Sequence, residues 1–117
     1  MEPITCSFSE QVRNYINDLP DELVKKIEAY KEILLMKGHS ITLPYSDKIE
    51  GYKNLFELRP GFHNLEYRLI YFWQGNHAYF VNSFTEKGKK KENRREYAKA
   101  EKIKNNVLNR RGLNEKL

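Results

Sequence analysis

The sequence predicts an α+β domain, in which an N-terminal helical hairpin packs on a small antiparallel β-sheet and a C-terminal helix closes the fold. Three observations support this prediction. An apolar stripe with helical spacing lies between Pro20 and Gly38, three aromatic-rich runs follow between Asn54 and Phe84, and a basic helical segment comes after them. With 117 residues, the chain is expected to form one domain over residues 1–117.

The N-terminal part is predicted to form a short strand at residues 5–8 and then two helices. Ser9 is an N-cap residue for a first helix that runs through Asp18. Pro20 suits the start of the second helix, because the first turn does not use its missing N–H, and Gly38 suits its end. We expect the two helices to form an antiparallel hairpin over one face of the sheet. The apolar stripe of the second helix consists of Leu23, Val24, Ile27, Tyr30, Leu34 and Leu35.

The central part predicts three strands, at residues 54–59, 65–74 and 77–84, after a turn-rich connector at 39–53. The turns between them are too short for a parallel crossover, so the strands are expected to form an antiparallel meander. Strand alternation predicts that every second side chain of the third strand shares one face. These side chains are Ala78, Phe80, Asn82 and Phe84.

A C-terminal helix is predicted from Asn93 to about Asn109. Asn93 and Glu96 have the spacing of a capping box, and Gly112 is placed to stop the helix. Its apolar side is marked by Tyr97, Ala100 and Val107.

The charge of the chain is concentrated near its C-terminus. The net charge is +5, yet Met1–Glu86 carries nine Lys and Arg against twelve Asp and Glu. Lys87–Arg111 carries eleven against three. A basic segment of this kind is typical of nucleic-acid binding, and a solvated lysine-rich helix without a partner is the alternative explanation.

No membrane segment, secretion signal or disulfide framework is expected. The sequence has no apolar run near the ~20 residues that cross a bilayer. The N-terminus has neither a basic region nor an apolar core of a signal peptide. Cys6 is the one cysteine of the sequence, which fits a reducing cytoplasm.

Two arginines, Arg59 and Arg68, lie within predicted apolar strands. A buried cation without a partner is costly, so each arginine has to reach solvent or an anion. One explanation is a structural ion pair with Glu57 or Glu66. The other is a phosphate site, because the arginine fork matches phosphate oxygens.

The motifs of nucleotide and metal enzymes are missing from the sequence. There is no P-loop, GxGxxG or HExxH motif, and the three histidines are scattered, so neither a cofactor nor a metal is expected. Basic and aromatic groups remain, and they suit cleavage of RNA by its own 2′-hydroxyl. That reaction needs a base, charge stabilisation at the phosphate and a proton for the leaving oxygen; a lysine or tyrosine with a shifted pKa is a candidate for the proton transfers.

Several motifs together resemble the RelE/ParE toxin superfamily, and most closely its phage-derived HigB-like branch. They are FELR at 56–59, YRLIYF at 67–72, a hairpin, F-x-x-K at 84–87 with further lysines, and E-x-A at 96–98 in the closing helix. The resemblance covers nearly the whole chain.

The resemblance implies a RelE-like α+β fold and a toxin of a type II toxin–antitoxin system. It implies cleavage of mRNA in the ribosomal A site without a metal, and a helix-turn-helix antitoxin, mRNA and the ribosome as partners. It also implies catalytic roles for Arg68, Lys87 and Tyr97. The RNA-binding residues that it implies are Arg59, Lys89, Lys90, Lys91, Arg94 and Arg95.

The sequence departs from the branch at Glu86, which precedes Lys87 where two adjacent lysines are common. Glu86 either pairs with a neighbouring lysine, which would weaken the site, or acts as a base. The superfamily also contains ParE-type toxins that act on DNA gyrase. A gyrase-directed or degenerate toxin that works by binding alone is therefore one alternative function, and a plain nucleic-acid-binding module is another.

Overall fold

In the computed structural model, one mixed sheet separates two N-terminal helices from a C-terminal helix. The structure describes residues 2–86 and 90–116, and it describes side chains for residues 2–86 and 92–110. The predicted α+β class is confirmed. The helices are α1 (Glu10–Asn17), α2 (Asp21–Lys37) and α3 (Lys90–Lys116), and a 3₁₀ turn at Gly38–Ser40 follows α2. The strands are β1 (Thr5–Phe8), β2 (Ser46–Lys48), β3 (Phe56–Leu58), β4 (Gly61–Phe62), β5 (Leu65–Gln74) and β6 (His77–Glu86).

The order of the strands is β1-β6-β5-β3-β2, with β4 also paired to β5. β3, β5 and β6 pair antiparallel, which confirms the predicted meander. The sheet is not purely antiparallel, however, because β1 pairs parallel with β6. β2 lies within the predicted connector. Its three residues are too few and too polar for strand periodicity to show in the sequence.

The helical hairpin covers one face of the sheet, as predicted. The Ser9 hydroxyl accepts a hydrogen bond from the Val12 amide at 3.3 Å and so caps α1. Gly38 ends α2 with a φ of 56°, a value that favours glycine. The core on this face is built from helix residues Val12, Leu23, Ile27 and Leu34 and sheet residues Leu69, Tyr71, Trp73 and Phe80.

The opposite face is covered by α3. Ala100 packs there with Leu55, Ile70, Phe72 and Val81. The helix spans Lys90–Lys116, so the predicted start at Asn93 and stop at Gly112 are both wrong. Asn93 lies inside the first turns of α3. Its side-chain amide donates a hydrogen bond to the charged carboxylate of Glu86 in β6 instead of capping the helix. A glycine within a helix costs about 1 kcal/mol, which is too little to end one that is supported elsewhere.

A β-bulge in β6 changes which side chains face α3. Ile70 pairs with Asn82 and Tyr71 pairs with Phe80, so Val81 is an extra residue in the ladder. Ala78 and Phe80 face the hairpin. After the bulge, Phe84 belongs to the cluster under α3, and Asn82 bonds to Glu96 of α3. The predicted common face of Ala78, Phe80, Asn82 and Phe84 is therefore wrong, because one inserted residue reverses the alternation.

Candidate active site

Arg68 lies at the centre of a buried charge cluster on the face that α3 covers. Only 5% of the residue is exposed. Its Nη2 lies 2.5 Å from Glu86 Oε2, while its Nη1 is 3.7 Å from Glu57 Oε2 and 3.8 Å from Glu66 Oε2. Nε and Nη1 are buried without a hydrogen-bond partner among the described residues. The ion pair that the sequence allowed is therefore present, and Glu86 is its main partner.

Glu86 is held from both sides. Arg68 donates to its Oε2, and the Asn93 side-chain amide of α3 donates to its Oε1 at 2.6 Å. Partial burial acts to raise the pKa of Glu86. The hydrogen bonds from Asn93 and Arg68, together with the Arg68 charge, outweigh this effect and hold the pKa below its usual value. Glu86 is therefore a carboxylate at neutral pH.

Tyr97 reaches the cluster from α3. Its phenol donates a hydrogen bond to Glu57 Oε1 at 2.6 Å. Burial, the bond to Glu57 and the Glu57 charge all disfavour the phenolate, so the pKa of Tyr97 lies well above its usual value. The helix is positioned by Asn82, whose amide donates to the backbone carbonyl of Glu96 at 3.1 Å and to its carboxylate at 2.9 Å. Tyr97 is thus a neutral donor at neutral pH.

Glu57 connects the two arginines and the tyrosine. It is 6% exposed, and its Oε2 lies 3.7 Å from both Arg59 Nη1 and Arg68 Nη1. Arg59 also pairs with Asp47 at 3.3 Å. Among the described residues the cluster holds two guanidinium groups and four carboxylates, namely those of Asp47, Glu57, Glu66 and Glu86. The negative charges of this cluster therefore outnumber its positive charges among the described residues.

A cleft of about 1370 Å³ opens between the segment 47–53 and α3. Glu57 and Tyr97 line it, together with the side chains of Tyr52, Lys53 and Arg94. Arg68 is not part of the lining, although its Nη1 lies 3.7 Å from Oε2 of Glu57, which is part of it. The lining therefore offers carboxylates, phenols and cations to a ligand in the cleft.

The predicted site residues are partly brought together. Arg59, Arg68 and Tyr97 meet at Glu57, and Arg94 lines the adjoining cleft, whereas Arg95 is exposed on α3 outside the lining. Lys87 and Lys89 lie outside the described residues, and of Lys90 and Lys91 only the helical backbone is described.

Sequence reasoning missed three members of this site. Asp47, which pairs with Arg59, lies in the turn-rich connector and was not considered as a partner. Glu57 was considered only as an ion-pair partner, yet a charged residue inside an apolar strand was a signal that it needs several partners. Asn93 was interpreted as a cap, and no sequence signal pointed to its bond with Glu86.

Neither a metal cluster nor a membrane helix is found in the described part of the chain. No group of three or more His, Cys, Asp or Glu side chains there is arranged to hold a metal ion. None of the helices described is both long enough and apolar enough to cross a membrane.

Residues 14–105 match the model of the family Phage derived protein Gp49-like (DUF891). This range contains β3, β5 and β6 and the part of α3 that carries Asn93 and Tyr97. The family is associated with RelE-like toxins of toxin–antitoxin systems. No curated protein matches the chain.

Proposed function

The chain belongs to the phage-derived Gp49-like family, and we propose that it is the toxin of a type II toxin–antitoxin system that inhibits translation by cutting mRNA without a metal ion. The observation that carries this proposal is the contact of Tyr97 with Glu57 beside Arg68, at the wall of an open cleft. The HigB-like branch, dependence on the ribosome, a helix-turn-helix antitoxin and a cytoplasmic location are parts of the same proposal.

Glu57 is the proposed base. Its Oε1 is bonded to Tyr97, while its Oε2 is 3.7 Å from the two guanidinium groups, beyond hydrogen-bond distance, and the residue lines the cleft. In the proposed reaction, the 2′-oxygen forms a bond to phosphorus while its proton passes to Glu57. The bond from phosphorus to the 5′-oxygen breaks, which leaves a 2′,3′-cyclic phosphate and a 5′-hydroxyl.

Tyr97 is the proposed donor of the proton that the 5′-oxygen takes. Its raised pKa keeps the phenol protonated, so it is ready to donate and unsuited to act as a base. When Glu57 gains a proton it becomes a weaker acceptor, and the phenol is then free to turn toward the leaving oxygen. Lys87, the other candidate donor, lies outside the described residues.

Cationic groups are proposed to stabilise the charge that develops on the phosphate. Arg68 is the main candidate, and Arg59 pairs with Glu57 at 3.7 Å and helps to hold it in place. The RNA strand is proposed to run along the basic segment that enters α3. That segment provides Lys89, Lys90, Lys91, Arg94 and Arg95.

The test is induction of the chain in cells, followed by mapping of mRNA 5′ ends. We expect growth arrest with new 5′ ends in the wild type, and loss of both in Arg68→Ala and Glu57→Gln. Tyr52→Phe, which alters another phenol of the cleft lining, is the control and is expected to stay toxic. A fully toxic Arg68→Ala protein that is folded would exclude the proposed phosphate site.

A second function, a toxin that acts by binding gyrase or a degenerate toxin that binds its partner only, is favoured by one observation. The described carboxylates around Arg68 outnumber the arginines, which is unfavourable for binding a polyanion. Broken DNA without new mRNA ends after induction would support the gyrase target. Neither DNA breaks nor mRNA cleavage, with retained antitoxin binding, would support the degenerate toxin.

A further inference from the structure

The guanidinium proposed to bind the scissile phosphate is already bound to an anion within the chain. We infer that Glu86 occupies a phosphate-binding position formed by Arg68 and Asn93, so that its carboxylate is an internal competitor of the RNA backbone. This inference rests on the proposed function for the identity of the ligand. The geometry of the contact is independent of it.

The carboxylate of Glu86 imitates two oxygens of a phosphate. Arg68 Nη2 bonds to one oxygen at 2.5 Å, and Asn93 Nδ2 bonds to the other at 2.6 Å. Two donors that reach the two oxygens of one carboxylate can also reach two oxygens of one phosphodiester, since both groups accept charge-assisted hydrogen bonds. Asn93 therefore belongs to the anion site, although neither its motif nor its position suggested this.

Glu86 is more exposed to solvent than the arginine that it binds. The side chain of Glu86 is 23% exposed, whereas that of Arg68 is 7% exposed. Arg68 also has unused donors, because its buried Nε and Nη1 have no hydrogen-bond partner among the described residues. Rotation of Glu86 into solvent would uncover a guanidinium whose capacity is only partly used, next to the Asn93 amide.

Replacing the Glu86 carboxylate by a phosphate costs free energy, and a neutral residue at position 86 would reduce this cost. The lowered pKa of Glu86 shows that its charge is stabilised by its neighbours, so an incoming phosphate must replace a favourable ion pair. Glutamine has nearly the same shape but lacks the charge that strengthens both hydrogen bonds. Removing the charge is therefore expected to favour the phosphate.

Glu66 provides a matched control. It lies directly opposite Glu86 in the β5–β6 ladder, and its carboxylate is 3.8 Å from Arg68 Nη1. Its side chain is 49% exposed, and no hydrogen bond to Arg68 is formed at that distance. Glu66→Gln removes the same charge from the same neighbourhood without opening the Arg68–Asn93 position.

The experiment is a titration of the purified full chain with inorganic phosphate, followed through the ¹⁵N–¹H signal of Arg68 Nε, which is identified by its loss in Arg68→Lys. We expect Glu86→Gln to bind phosphate about tenfold more tightly than the wild type, and Glu66→Gln to change the affinity less than about threefold. The double variant Glu86→Gln/Asn93→Ala is expected to lose most of the gain. A fluorescent RNA with 2′-O-methyl groups throughout serves as a second, uncleavable probe and is expected to follow the same order.

Equal phosphate affinity in the wild type and Glu86→Gln would overturn the inference, and so would equal gains in Glu86→Gln and Glu66→Gln. If Glu86→Gln does not fold, Glu86→Asp keeps the charge but draws the carboxylate back by one methylene from Arg68 and Asn93, and a smaller gain in affinity in the same direction is expected. Tighter phosphate binding without any RNA cleavage would contradict the proposed function and leave this inference intact. RNA cleavage by the wild type, together with equal phosphate affinity in the wild type and Glu86→Gln, would support the proposed function and contradict this inference.

Discussion

Replacement of Tyr97 by phenylalanine tests the contact around which the candidate site is built. The phenol is the hydrogen-bond donor to Glu57 Oε1, at 2.6 Å, and Glu57 is only 6% exposed. Tyr97→Phe keeps the ring against Phe84, whose centroid is 5.9 Å away, so the packing of α3 changes little. The main change is a buried carboxylate that loses a donor.

The magnitude follows from the charge of the acceptor. A hydrogen bond to a charged group contributes about 1.5–3 kcal/mol, so we expect Tyr97→Phe to lower the free energy of unfolding by about 2 kcal/mol. Glu57→Gln is also destabilising, because Arg59 and Arg68 lose a charge at 3.7 Å. The double variant is expected to lose less than the sum of the two, with a coupling energy of about 1.5–2 kcal/mol.

Urea unfolding of the four proteins at pH 7 measures this coupling. With a slope of about 1–3 kcal/mol per molar urea, a loss of 2 kcal/mol moves the midpoint by about 1 M. Because the pKa of Tyr97 is raised, the phenol remains protonated from pH 7 to about pH 9, and the coupling is expected to stay constant over that range. Tyr52→Phe is the control, since the structure gives no hydrogen bond to the Tyr52 phenol within the described residues.

Additive losses, within about 0.5 kcal/mol, would refute the reasoning. They would mean that Tyr97 and Glu57 do not interact in solution, and that the position of α3 on the sheet differs from the one described. The proposed roles of both residues in proton transfer would then lose their geometric basis.

Two further predictions concern stability. Burial raises the pKa of Tyr71 to about 12, although its hydrogen bond to Ser46 acts in the opposite direction. The pKa of this phenol in the unfolded chain is near 10, so the neutral phenol contributes its full stabilisation of the fold below pH 10. We expect roughly 2 kcal/mol of the free energy of unfolding to be lost as the pH rises from 10 through 12. Tyr71→Phe is expected to make the denaturant midpoint less dependent on pH in this range. If the midpoint depends on pH as strongly in the variant as in the wild type, Tyr71 is not the cause of the loss. Gly38→Ala adds a Cβ at a φ of 56° and 3.0 Å from Ile4 Cδ1, so we expect a loss of about 1–3 kcal/mol in thermal unfolding. Gly51→Ala, at a φ of 88° with open space around it, is expected to cost less, and the opposite order would contradict this explanation.

The elements with strong periodicity were predictable from the sequence. The sequence predicts α2 from its apolar stripe and its terminal Pro20 and Gly38, and β5 from an aromatic-rich run of ten residues that ends at the turn of Gly75. β2 and β4 were not predicted, because two or three residues carry no periodic signal. The start of α3 was missed since helix boundaries depend on tertiary contacts as well as on caps.

The sequence alone was sufficient to predict the fold class, the strand that carries Arg68 and a C-terminal helix that carries Tyr97, whereas Arg59, predicted to lie in a strand, follows the end of β3. Each of the correct predictions depends on local periodicity and on short connections, which the chain encodes directly. The partners of Arg68 depend on a single inserted residue. Because Val81 forms a bulge, Glu86 lies on the face of Arg68 and α3, whereas uninterrupted alternation from Ala78 and Phe80 would have turned it toward the helical hairpin.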